Sequence, residues 1–223
     1  LINALRSHFA EWGIVVAEGA RNVQRLLALL ADQEAKDQDD RDIPATAATA
    51  LQPLADMLLE NGRQIAKLDR VILAMHRDNE ISSRLATIPG IGVLSATYMT
   101  ASLSSFASQF SCGREFAAYL GLVARHYSSG GKPRPGRISK MGNRHLRKLL
   151  IVGATAALYS LRKGSSQTAL ALWLRGLLEK KQFRLVAVAM ANKMARIAWA
   201  VIVRERDYQV DIKPSQSADM ATA

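Results

Sequence analysis

Apolar positions recur three and four residues apart along most of this chain, the spacing that lines one face of an α-helix. In residues 1–12, Leu1, Leu5, Phe9 and Trp12 share such a face. Gly13 and Gly19 interrupt it before Val23, Leu26, Leu27 and Leu30 begin a second helix. Over residues 45–79, Leu51, Leu54, Leu58, Asn61, Ile65, Leu68, Ile72 and Met75 fall alternately three and four apart. This heptad seam predicts a coiled coil, in which one polar core residue, Asn61, sets register and partner number. Pairing with a second copy is preferred to packing against the helix near residue 26, because one short helix cannot cover so long a stripe. Further on, Ile88-Pro89-Gly90-Ile91-Gly92 separates a short helix from the helical VLSATYMTASL. Ser111 is placed to cap a helix that turns Phe116, Tyr119 and Leu120 inward, and Asn143 to cap RHLRKLLIVGATAALYSLRK. Two more helices are expected over residues 167–181 and 183–206, with Trp173 and Trp199 as core residues rather than base-stacking platforms.

One stretch resists this periodicity. Residues 125–148, RHYSSGGKPRPGRISKMGNRHLRK, hold eight Lys or Arg, two His, four Gly, three Ser and no carboxylate. Ser128-Ser129-Gly130-Gly131 and Pro133-Arg134-Pro135-Gly136 are turn formers, so its first two thirds form an irregular loop, with room for a small hairpin around residues 134–139. A glycine-permissive, hydroxyl-bearing loop in a positive field suits a backbone of phosphates. Arg144, Arg147 and Lys148 sit in the first turns of the next helix, where positive side chains oppose the helix dipole. Phosphate contacts explain a choice that helix stability does not. The fold expected is all-α: a long coiled-coil arm, then a compact helical domain with a glycine-bearing helix-to-helix turn and one irregular basic loop.

Charge placement concentrates the same signal. The chain carries a net +11, and between Glu115 and Glu179 there are eleven Lys or Arg and no Asp or Glu. The first 115 residues carry 11 bases and 14 acids, the last 45 carry 8 and 5, so the excess sits in one central block. Such a field attracts polyanions. A membrane surface is the competing polyanion, but no run of about 20 apolar residues is seen in the sequence, and residues 149–161 read as a core helix. No membrane partner is expected. At 49% hydrophobic content the 223 residues suffice for a core, and the single cysteine, Cys112, excludes an internal disulfide framework. Six carboxylates in residues 32–42 read as a solvated linker, and residues 211–223 as a disordered tail.

The PGIG turn between two helices resembles the helix-hairpin-helix motif, which grips the DNA backbone without reading sequence. Gly90 and Gly92 there would let amides at the second helix's N-terminus face a phosphate oxygen. IPGIG followed by AAYLGLVARHYSSGGKPRPGRISKMGNRHLRKLL is similar to the C-terminal domain of the insertion-sequence "one-ten" transposases, the bacterial RNA-guided DEDD recombinases. The detailed match runs over residues 85–157, and LINALRSHFAEWGIV more weakly resembles the closing segment of that family's RuvC-like nuclease domain.

That resemblance implies four parts: residues 1–20 closing a truncated RuvC-like domain, 21–80 a helical and coiled-coil region, 81–210 the transposase domain, and 211–223 the tail. It implies that a serine in the loop attacks the DNA phosphodiester and becomes joined to it. By position this is Ser129, directly before Gly130-Gly131, with Ser128 as the fallback. A neutral hydroxyl needs its proton removed and the phosphorane charge compensated. Arg125, Lys132, Arg134, Arg137 and Lys140 are the loop cations available for that, with Arg144, Arg147 and Lys148 beside them. The family's four acidic metal ligands belong to the nuclease domain, so Mg²⁺ is expected there and no cofactor in this chain; Glu11 and Glu18 are assigned no such role. The partners implied are DNA, a guide RNA and further copies of the chain, in the bacterial cytoplasm at the nucleoid. The competing expectations are a non-catalytic helix-hairpin-helix binding module and a purely structural helical assembly, which leaves the acid-free block unexplained.

Overall fold

The computed structural model describes residues 1–31, 43–103, 109–127, 135–164 and 166–210. Among these residues it is helical but for one two-stranded sheet, so the all-α expectation holds. The chain divides into two compact units, Leu1–Val71 and Ile72–Ala223.

The first unit contains α1 (Ile2–Glu11), α2 (Ala20–Ala31) and most of α3 (Ala45–Arg77). Leu5 and Phe9 of α1 and Leu26, Leu29 and Leu30 of α2 are buried together with Ala48, Leu51 and Ala55 of α3. Ile14 and Val16, between α1 and α2, complete this core, and Arg6 Nη2 donates to Val16 O at 3.0 Å. The heptad seam is therefore split. Its first positions are covered by α1 and α2, with Leu54 and Leu58 at the edge of the cluster. From Asn61 to Arg70 every residue is exposed, including Ile65 at 60% and Leu68 at 59%, and Met75 is 59% exposed. This bare stretch is braced by its own side chains: Glu60 accepts from Gln64 at 2.7 Å and from Arg63 at 2.9 Å. Those two bonds hold the Glu60 carboxyl below the usual carboxylate range.

The second unit is built on α9 (Phe183–Arg204), whose Met190, Ala191, Ala195 and Ala198 are fully buried. Against it pack α4 (Glu80–Ala86), α6 (Gly113–Tyr119), α7 (Arg144–Lys163) and α8 (Ala169–Leu178), while α5 (Val93–Leu103) packs on α4 and α7. By length and composition alone α9 is apolar enough to cross a bilayer, although charged residues break its apolar run. Many of its apolar side chains lie in the protein core, and Lys193 and Arg196 interrupt the apolar run at mid-helix. Asn143 caps α7 as expected, its Oδ1 accepting from Leu146 N at 2.9 Å. Thr168 caps α8 in the same way. The cap of α6 is Cys112 rather than Ser111, whose amide is taken instead by the Glu115 carboxylate at 2.9 Å. Phe116 and Leu120 are buried as expected, but Tyr119 is 38% exposed.

Candidate nucleic-acid interface

Two short strands carry the basic loop. β1 (Ala124–His126) and β2 (Pro135–Ile138) pair antiparallel, Ala124 opposite Ile138 and His126 opposite Pro135, with an irregularity between them. The small hairpin expected around residues 134–139 does not form within that segment: it supplies only β2, which pairs back across the loop with residues 124–126, a segment read as irregular. Gly136 makes the pairing possible. A Cβ there would meet the Tyr127 ring at 2.6 Å, so the ring lies over bare backbone. Ser128, Ser129, Lys132 and Arg134 fall in the connection between the strands and lie outside the described residues.

The base of the hairpin is strapped to the end of α6. Ser139 N donates to Val123 O at 2.9 Å, and Lys140 N to Gly121 O at 3.1 Å. Arg125 Nη2 reaches back to Ser139 O at 3.1 Å. The strap needs unusual backbone: Lys140, Gly121 and Gly142 all have positive φ, and a Cβ on Gly142 would overlap Tyr119 O. Arg147 closes it from below, its Nη1 donating to Leu120 O at 2.9 Å and Met141 O at 2.6 Å. Only 8% of Arg147 is exposed. This one nitrogen thus ties the start of α7 to both ends of the strap.

The predicted cations therefore separate. Arg125, Arg137, Lys140, Arg144 and Lys148 are exposed around the hairpin base and the first turns of α7, whereas Arg147 is committed to the interior. The two glycines of the PGIG turn separate as well. Gly92 is exposed with nothing within 4 Å of a would-be Cβ. Gly90, at φ +93°, is pressed on mid-α7, where a Cβ would lie 2.8 Å from Gly153 O. Its backbone is thus a helix-packing contact. Residues 87–92 are further held by Tyr208 N, which donates to Thr87 Oγ1 at 3.0 Å.

A contact missed from sequence joins the two halves of the site. Tyr98 of α5 hydrogen-bonds Asn143, whose Nδ2 lies 3.2 Å from the phenol oxygen, and its ring stands 4.8 Å from that of His145. Residues 45 positions apart offer no local signal for this. Among the described residues no group of three His, Cys, Asp or Glu is placed to hold a metal ion.

Fold and site together define an all-α domain that displays a cationic loop on a short hairpin beside a helix N-terminus. Residues 82–169 match the family described as Transposase IS116/IS110/IS902, and the chain belongs to that family. It is 39% identical over 209 residues to the putative transposase y4pF/y4sB of Sinorhizobium fredii, covering 94% of this chain and 52% of the relative. It is 40% identical over 210 residues to a probable family 20 transposase of Pseudomonas aeruginosa, covering 94% and 60%. Against the transposase for insertion sequence element IS1111A of Coxiella burnetii the identity is 35% over 209 residues, covering 94% and 55%. The chain thus spans little more than half the length of these curated relatives.

Proposed function

We propose that this chain is the DNA-engaging part of a transposase that cleaves and exchanges strands with the Ser129 hydroxyl, guided by an RNA and completed by a metal-bearing nuclease domain. The observation that supports it most is the strapped hairpin. A loop that must bring a weak nucleophile to phosphorus gains from a rigid base, and here two backbone bonds and the buried Arg147 side chain hold that base. Ser129 Oγ bonds to phosphorus as a P–O bond to a sugar oxygen breaks; the serine proton leaves and the departing oxygen gains one. Arg125, Arg137, Lys140, Arg144 and Lys148 supply positive charge where the non-bridging oxygens accumulate it with opposite sign. Mg²⁺, held by carboxylates outside this chain, supplies further charge compensation. The exposed seam of α3 joins copies of the chain, and the working place is the bacterial cytoplasm at the nucleoid.

The decisive comparison is made in the full-length protein. Ser129→Ala should abolish the covalent DNA adduct while DNA affinity stays within about twofold, and Ser128→Ala should keep the adduct. An adduct surviving Ser129→Ala moves the nucleophile elsewhere. No adduct in the parent protein under turnover conditions supports the competing reading, a helix-hairpin-helix module that only holds nucleic acid on Gly92 and the α7 cations.

A further inference from the structure

A further concavity of the second unit lies away from the α4–α5 turn. It is a groove of about 940 Å³ along α9, open at one end on the hairpin base through Val123, Ala124 and Ile138. Trp173 and Trp199 pack against the core as expected but are only half-buried, and both also line the groove. Lys193 Nζ lies 4.4 Å over the Trp173 ring, so a cation and an aromatic plane share one wall. Arg114 and Arg196 also line it and are exposed. They are brought together because α6 begins at Gly113, where a Cβ would meet Arg196 O at 2.9 Å. No Asp or Glu lines the groove among the described residues. Its apolar walls remain partly bare: Leu185 is 55% exposed.

We propose that this groove seats an unpaired nucleic-acid strand, with bases against Trp173 and the apolar wall and phosphates at Arg114 and Arg196. Aromatic faces set in a carboxylate-free cationic channel fit that ligand, because every base has an apolar face and every linkage a negative charge. A duplex buries its base faces in the stack and has no use for the apolar wall. The place is also apt. Strand exchange passes through unpaired strands, and the groove reaches the base of the hairpin whose connecting residues include Ser129 in sequence. The inference rests on the reading of the protein as a nucleic-acid enzyme.

The test uses the whole chain with three separate probes: oligodeoxythymidylate, oligouridylate and a DNA duplex. At least one single strand should quench tryptophan fluorescence, and Trp173→Phe should remove most of that signal with affinity kept within about threefold, since Phe retains an aromatic face. The double variant Arg114→Glu/Arg196→Glu should weaken strand binding about tenfold or more. Its log–log salt slope should fall by about 1.4, at roughly 0.7 per phosphate contact, while duplex affinity changes by less than about threefold. An equal charge change at the exposed Lys180 and Lys181 should leave strand binding near that of the parent. A preference for oligouridylate assigns the strand to RNA, and a preference for oligodeoxythymidylate to opened DNA. Strand and duplex binding lost in parallel, or quenching that survives Trp173→Phe, would overturn the inference. So would a change of sedimentation in the double variant, which gives the groove to a second copy. Failure of the parent chain to bind duplex DNA counts against the function proposed above and leaves the strand result to be read by itself.

Discussion

Arginines three residues apart in one helical turn do opposite jobs here. Arg144 is exposed, while Arg147 is buried and donates to two backbone carbonyls. Removing the Arg147 guanidinium leaves Leu120 O and Met141 O without their donor, so Arg147→Ala should cost about 2–3 kcal/mol in urea unfolding. Arg147→Lys should recover part of it, because both bonds leave one nitrogen, Nη1, and an ammonium also carries several donors on one nitrogen. Arg144→Ala should change stability by no more than about 0.5 kcal/mol. Duplex binding should instead lose about 0.9 from its salt slope, measured by titration over a range of salt. The glycines make a second pair. Gly90→Ala, at positive φ and against Gly153 O, should cost about 1–3 kcal/mol, and Gly92→Ala should fall within about 1 kcal/mol of the parent. Equal effects at both positions would show that the turn is not pressed on α7. Sequence composition placed all these residues in one cationic site. It had no means of separating them, since burial depends on which backbone lies opposite.

At the scale of elements, helix positions were legible and partners were not. The seam from Leu51 to Met75 reads as one continuous stripe, yet Leu51 lies in the first unit's core and Ile65 and Leu68 are bare. The cause is length. With 12 residues, α2 covers only the start of a 33-residue helix. Residues 61–70 beyond it are exposed, and Asn61 stands at their beginning. Ile65→Asp/Leu68→Asp should lower the oligomeric state seen by sedimentation and leave the monomer's helical signal unchanged, since neither side chain is in a core. Oligomers that persist at all concentrations would place the contact elsewhere. The hairpin was harder to see. Strands of three and four residues are too short to show alternation, and Gly136 and Pro135 are residues that strands disfavour. What makes β2 a strand is its partner at residues 124–126 and the space left by Gly136 under Tyr127.

Over the whole molecule, two cores share no buried residue: one holds Leu26 and Leu51, the other Leu150 and Met190. Calorimetry should therefore resolve two transitions. Leu26→Ala should lower one and Leu150→Ala the other, each by about 2–5 kcal/mol of local stability. A single transition shifted by either variant would contradict separate cores. The net charge of +11 bears on a different property. It sets how strongly a polyanion is drawn in, and duplex affinity should fall steeply as salt rises from low to physiological levels.

By itself, the sequence determined the helical class, most helix starts through Asn143 and the apolar spacing, and the concentration of positive charge in one acid-free block. Its motifs also sufficed to point to the transposase family that residues 82–169 match. Those features are local or additive, so a linear string contains them. Only the tertiary structure decided that Arg147 and Gly90 turn inward, that the seam is half covered, and that Trp173 and Trp199 border a groove. Each of these is settled by a group far along the chain occupying, or leaving empty, the space beside the residue.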